Sequence, residues 1–70
     1  MEDDTDRFNL LRMRYKTALD AYHSIAARNA AQLTDGRRPS EQELTDERRA
    51  AADLQIARDN LMAANRRAGR

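Results

Sequence analysis

The chain contains no cysteine and no tryptophan, and it has only one proline, two glycines and three aromatic residues. Without cysteine there can be no disulfide bond and no thiolate metal site. The two glycines, Gly36 and Gly69, lie too far apart to build the glycine-rich loop that cradles a phosphate. We therefore expect no bound cofactor and no small-molecule substrate.

Long apolar runs are absent as well. No segment approaches the ~20 consecutive apolar residues that cross a bilayer. The acidic start of the chain, with Glu2, Asp3 and Asp4, lacks the basic and apolar regions of a signal peptide. We expect a cytoplasmic protein that does not bind membranes.

Large apolar side chains are scarce. Hydrophobic residues make up 40% of the 70 residues, yet 13 of them are alanine and none is valine. A chain this short buries only about 60% of the surface that its unfolded form exposes, and oligomerisation is a usual remedy. The composition therefore predicts a homo-oligomer, most simply a dimer. The heavy use of alanine and arginine indicates either a role for guanidinium chemistry or, the explanation that we favour, the codon usage of a GC-rich, bacterial-like genome.

One break divides the sequence. Gly36 and Pro39 lie in residues 34–40, between two long segments rich in helix-forming residues. We predict a single domain (residues 1–70) with helix one over about 5–33, a loop over 34–40 and helix two over about 41–67. Ser40 and Glu43 fit a capping box, and Gly36 suits the left-handed conformation that follows a helix. Equal helices joined by a short loop predict an antiparallel hairpin.

Each predicted helix carries an apolar seam, in which residues recur in alternating steps of three and four. The seam of helix one is Phe8, Leu11, Tyr15, Ala18, Tyr22 and Ile25, and that of helix two is Ala50, Leu54, Ala57, Leu61, Ala64 and Ala68. Two helices alone leave one side of both seams facing water, so we expect an all-α homodimeric four-helix bundle. The predicted self-association or partner face is Phe8, Leu11, Tyr15, Tyr22, Ile25, Leu54 and Leu61.

Residues beside the seams add three further expectations. A second apolar strip is expected from Leu10, Met13, Ile56 and Met62. Asn29 continues the seam of helix one, where it either is buried and fixes the register or lies at a wet edge. The acidic N-terminus is expected to meet Arg66, Arg67 and Arg70 at the open end of the hairpin.

Chemical signatures are weak. Asp20 and His23 are spaced for one helical face, but a di-iron bundle needs Glu-x-x-His on two helices and further glutamates. We expect His23 to lie on the surface and predict no metal site. A lone histidine on a long helix also offers no credible catalytic set, so we predict that the protein is not an enzyme.

Two classes of function remain. The leading hypothesis is a small helical interaction or structural protein, acting as an adaptor, a chaperone-like partner or an accessory subunit. The alternative is a small dimeric nucleic-acid-binding regulatory protein that uses the outer basic residues Arg12, Arg14, Lys16, Arg48 and Arg49. A net charge of +1 provides little of the counterion release that supports such binding, so we favour the first class.

Overall fold

The computed structural model describes residues 4–68, and the side chains of residues 5–67. It contains two helices, α1 (Asp4–Thr34) and α2 (Glu41–Ala68), which pack against each other along their lengths. Over the described range there is no strand. The prediction of an all-α helical hairpin is confirmed, and both helix starts and ends lie within one residue of the predicted positions.

The chain reverses direction through a six-residue connection that begins with a tight cap. The backbone N–H of Arg37 donates to the carbonyl of Gln32 at 2.8 Å, and that of Gly36 donates to the carbonyl of Leu33 at 3.0 Å. These two bonds form a Schellman motif, which satisfies carbonyls that the end of α1 would otherwise leave free. Gly36 has a φ of 79°, the left-handed conformation predicted from the sequence.

Replacing Gly36 with alanine is expected to lower the free energy of unfolding by about 1–2 kcal/mol, the cost of a left-handed L-residue. A Cβ at this position would meet nothing within 4 Å, so the loss comes from the backbone alone. Urea denaturation measures it. Gly36→Asn is the matched control, since asparagine tolerates this conformation better, and its loss should be smaller. Equal stability of Gly36→Ala and the wild type would show that a side chain carries no backbone cost at this left-handed position.

The start of α2 is held by the capping box that the sequence predicted. The Ser40 hydroxyl oxygen accepts a hydrogen bond from the backbone N–H of Glu43 at 3.1 Å, and the Ser40 N–H donates to Glu43 Oε1 at 2.8 Å. Glu43 Oε2 also accepts a bond from the side-chain amide of Gln32 on α1, at 2.7 Å. The cap of α2 is therefore tied directly to the last turns of α1.

The hairpin does not enclose a core of its own. Among the described side chains the only buried apolar residue is Ala50, which is 8% exposed, and no large side chain is fully buried. The predicted seam residues with described side chains are half-buried, apart from Ala50. This pattern is that of two helices in contact along one line with water on both sides. Ala68, the last seam residue, lies outside the described side chains.

The ends of the chain leave one expectation open. Residues 1–3 and 69–70 and the side chain of Asp4 lie outside the described part, so the pairing of the acidic N-terminus with Arg70 stays a prediction. Arg66 and Arg67 are exposed in the last turn of α2.

Across the described residues, neither helix has the length and apolar character needed to traverse a bilayer.

Candidate interaction surface

The seven residues predicted as a self-association face are all half-buried. Half-burial is what the contact line between α1 and α2 predicts for them, with part of each side chain packed within the hairpin and part facing water. Tyr15 and Leu61 line one surface groove together, as expected for an antiparallel pair. The seam is therefore an intrachain contact with a remaining exposed edge.

Large apolar side chains lie exposed beside the seam. Leu10 is 47% exposed and Met13 is 67% exposed, and both border an open groove of about 660 Å³ between the helices. We call it the apolar groove. Its apolar and hydroxyl lining consists of Leu10, Met13, Thr17, Ala18, Ala21, Ile25 and Ala50.

The four residues predicted to form a second apolar strip are all exposed, as expected, but they are not brought together. Leu10 and Met13 line the apolar groove, whereas Ile56 lies in a smaller groove beside Leu11. Met62, 45% exposed, lines neither of these two grooves. Leu10 and Met13 therefore contribute to one continuous apolar surface with Ile25, while Ile56 and Met62 do not.

Charged side chains of both signs border the apolar groove. Asp46, Arg49 and Asp53 line it from α2, and Arg14 lines it from α1. Arg14 and Arg49 belong to the alternative nucleic-acid face predicted from the sequence, whereas the sequence predicts no role for the two aspartates. The sequence feature that could have drawn attention to the two aspartates is their spacing. Asp46 and Asp53 are seven residues apart, and this spacing is the same as that of Arg7 and Arg14.

One polar side chain crosses the seam near the loop. Asn29 is 3% exposed, and its Nδ2 donates to the backbone carbonyl of Glu43 at 3.2 Å and to Glu47 Oε1 at 2.8 Å. The choice left open by the sequence is thus decided in favour of burial. Asn29 Oδ1 is buried without a hydrogen-bond partner among the described atoms. The amide thus links α1 to α2 near the loop.

The carboxylate of Glu43 lies at the centre of these polar contacts. The backbone N–H of Ser40 donates to it, the side-chain amide of Gln32 also donates, and Arg28 adds an attractive charge; together they hold the pKa of Glu43 below its ordinary value of 4.5. Hydrogen bonds to the ionised form account for the direction, because they favour the charged state.

This lowered pKa predicts acid sensitivity. A carboxyl whose pKa is lower in the folded chain stabilises it fully above the unfolded value of 4.5, and that contribution is lost as the pH falls through the folded pKa. The wild type should therefore lose stability below about pH 4.5, in part through Glu43. Urea titrations between about pH 6 and pH 3 measure the loss.

The variant Glu43→Gln removes the titrating group and should show a flatter pH dependence over this range. Glu41→Gln is the matched control, because Glu41 is an exposed glutamate in the same first turn of α2, and it should keep the wild-type profile. An unchanged acid profile in Glu43→Gln would show that other groups are responsible.

The five residues of the alternative nucleic-acid face are all exposed, but they do not line one surface. Arg14 and Arg49 border the apolar groove, together with two aspartates. Arg12 and Lys16 line a different groove with Leu19 and Leu61. Within one chain the cations are thus divided between surfaces, and those of the apolar groove have carboxylates beside them.

Asp20 and His23 are both exposed. The His23 ring lies beside that of Tyr22, its neighbour in sequence, with ring centres 6.0 Å apart. Among the side chains that the structure describes, no three of His, Cys, Asp and Glu come close enough together to hold a metal ion.

Comparison with known proteins adds no relative. No family model matches the chain, and no curated protein or solved structure matches it either. What the protein does must therefore be inferred from its own side chains and surfaces.

Proposed function

We propose that this protein is a small, non-enzymatic helical interaction protein that works as a homodimeric four-helix bundle, in the manner of an adaptor or accessory subunit. The observation that supports this most strongly is the balance of exposed and buried apolar surface. The described side chains include no large one that is fully buried, while Leu10, Met13, Leu33 and Ile56 are between 47% and 67% exposed.

The energetic reason is the cost of leaving such side chains in water. Burying a Leu, Ile or Met side chain is worth about 1.5–3 kcal/mol relative to its exposed state, and a folded domain is stable by only about 5–15 kcal/mol in total. Covering a few of these side chains in an assembly therefore contributes a large share of the stability of the folded chain. A bundle of two hairpins supplies that cover.

Sedimentation equilibrium and thermal melting over a wide concentration range test the proposal. We expect a species of twice the 8.0 kDa chain mass, with a melting temperature that rises with protein concentration, as linkage requires for an obligate assembly. A compact 8.0 kDa species that melts cooperatively at every concentration would overturn it.

Nucleic-acid binding is the competing outcome. Retention on heparin, or binding to mixed RNA at about 50 mM salt, where phosphate contacts are strongest, would favour it. On our proposal the protein does not bind under these conditions, since the chain carries 13 basic and 12 acidic residues.

A further inference from the structure

We infer that the apolar groove is the surface on which a second copy of this chain docks, with the two hairpins antiparallel and their loops at opposite ends. The inference rests on the self-association proposed above and specifies its face and orientation. The size of the hairpin face and the shape and charge of the groove each support it.

The hairpin offers enough area for a stable dimer. Its main extents are 53 × 17 × 13 Å, so the broad face provides on the order of 900 Å² per copy, close to the ~800 Å² per partner of a standard stable interface. Within that face the apolar groove draws apolar side chains from both helices, among them Leu10, Met13 and Ile25 of α1 and Ala50 of α2.

The shape of the groove suits a copy of itself in the antiparallel orientation. Its α1 side carries Leu10 and Met13 at the terminal end and Ile25 at the loop end, with Ala18 and Ala21 between them. Two antiparallel copies place the bulky residues of one end against Ile25 of the other copy. The alanines then meet at the centre, where small side chains let helices approach closely.

Charge distinguishes the two possible orientations. At the terminal end, Arg7, Arg14 and Arg67 line one continuous groove, and its lining among the described side chains includes no carboxylate. The carboxylates of the apolar groove, Asp46 and Asp53, lie toward the loop. Parallel hairpins would stack the three arginines on the same three arginines, whereas antiparallel hairpins bring the two aspartates, with Arg49 between them, toward the arginines.

The register of the two helices determines which aspartate lies level with which arginine of the second copy. The Asn29 amide is hydrogen-bonded to Glu47 and to the backbone carbonyl of Glu43. With Asn29 taken as level with Glu47, Asp53 lies level with residue 23 of α1 and Asp46 lies level with residue 30. Along the axis of α1, the midpoint between residue 23 and Arg14 coincides with the midpoint between residue 30 and Arg7, and both midpoints fall between residues 18 and 19. A two-fold axis at that height, between residues 18 and 19, sets Asp53 level with Arg14 of the second copy and Asp46 level with Arg7.

That axis also passes through the middle of the α1 side of the groove. On α1 the groove runs from Leu10 to Ile25, so its centre lies within about one helical residue, ~1.5 Å, of the axis that the charges define. The apolar surface and the charged rim thus indicate the same symmetric arrangement.

Charge exchange between two variants tests the arrangement. Arg14→Asp and Asp53→Arg change exposed residues, and each should weaken its own homodimer about tenfold, because each places two pairs of like charges at the same height across the interface in place of two pairs of opposite charges. An equimolar mixture should recover the wild-type affinity, since both contacts are complementary in the heterodimer. Sedimentation and a tagged pull-down of one variant by the other measure this, and circular dichroism confirms that each chain is helical.

The mixing experiment separates an interchain contact from an intrachain one. If Arg14 acted on Asp53 of its own chain, only the double variant Arg14→Asp/Asp53→Arg would recover, and the mixture would not. Failure of the mixture to recover would therefore overturn the arrangement. A wild type that is monomeric throughout would instead overturn the proposed function itself.

Disulfide formation tests the position of the axis independently. The chain has no native cysteine, and Thr17 is an exposed residue of the groove, about two residues from the axis. In the variant Thr17→Cys, we expect oxidation to link two copies, since the two Cα atoms come within the ~7 Å that a disulfide spans. Ser24→Cys is the matched control, one heptad further along α1.

The two copies of Ser24 lie on opposite sides of the axis, separated by about 16 Å along the helices at 1.5 Å per residue. Ser24→Cys should therefore stay reduced under conditions that link Thr17→Cys, and the linked Thr17→Cys dimer should melt cooperatively. A dimer that links through position 24, or through neither position, would place the interface elsewhere. Capture of a different protein on this groove in place of the second copy would also overturn the inference.

Discussion

The variant Leu54→Asp is expected to abolish folding and self-association together. Leu54 lies half-buried in the middle of the α2 seam, where a carboxylate removes about 1.5–3 kcal/mol of apolar burial and adds a charge in partly dry surroundings. A hairpin without a closed core has little stability in reserve. Tyr15→Asp should act in the same way, because Tyr15 is half-buried in the opposing seam. Far-UV circular dichroism and sedimentation measure both effects.

Met62→Asp is the control on the same helix. Met62 is 45% exposed and lies off the seam, so a charge there stays in water and should change the free energy of unfolding by less than about 1 kcal/mol. A folded, soluble monomer of Leu54→Asp would show that the hairpin folds without an intact seam and without a second copy. That result would contradict the coupling of folding to assembly.

The features that the sequence predicts well are those set by neighbours along the chain. Gly36 provides the left-handed residue of the turn, and Ser40 with Glu43 provides the cap of α2. Both depend on atoms at most five residues apart, so they form wherever the helices form. The seams follow from helical periodicity, and their half-buried pattern agrees with it.

The apolar groove could not be predicted in the same way, because it depends on how the two helices are rotated about their own axes. Leu10 and Met13 appear in the sequence as residues that simply point away from the seam. Only the packed pair shows that they share a surface with Ile25 and Ala50. The grouping of Ile56 with Leu11, apart from Leu10, has the same origin.

Asn29 illustrates the remaining gap between sequence and structure. Its place on the seam of α1 is evident from spacing, but whether a seam asparagine is buried depends on what the other helix places opposite it. Here α2 places the carbonyl of Glu43 and the carboxylate of Glu47 opposite it, and both accept bonds from the Asn29 amide. Two acceptors facing one amide make the position selective for a donor.

The variant Asn29→Asp should consequently destabilise the hairpin by on the order of 3 kcal/mol at neutral pH, the scale of an uncompensated buried charge. It replaces a donor with a carboxylate that faces Glu47 Oε1, which is 2.8 Å from Nδ2 in the wild type. Burial and the neighbouring negative charge should raise the pKa of the new carboxyl above the ordinary ~3.9 of aspartate. Urea denaturation of variant and wild type at matched pH measures the difference.

The pH dependence of the stability difference between Asn29→Asp and the wild type provides a second test. The penalty is fully present above the raised folded pKa and disappears as the pH falls below about 3.9, so the gap between variant and wild type should narrow in acid. Asn65→Asp makes the same change at an exposed position of α2 and should cost less than about 1 kcal/mol at any pH. A gap at Asn29→Asp that stays constant with pH would mean that lost packing, and not a buried charge, causes the destabilisation.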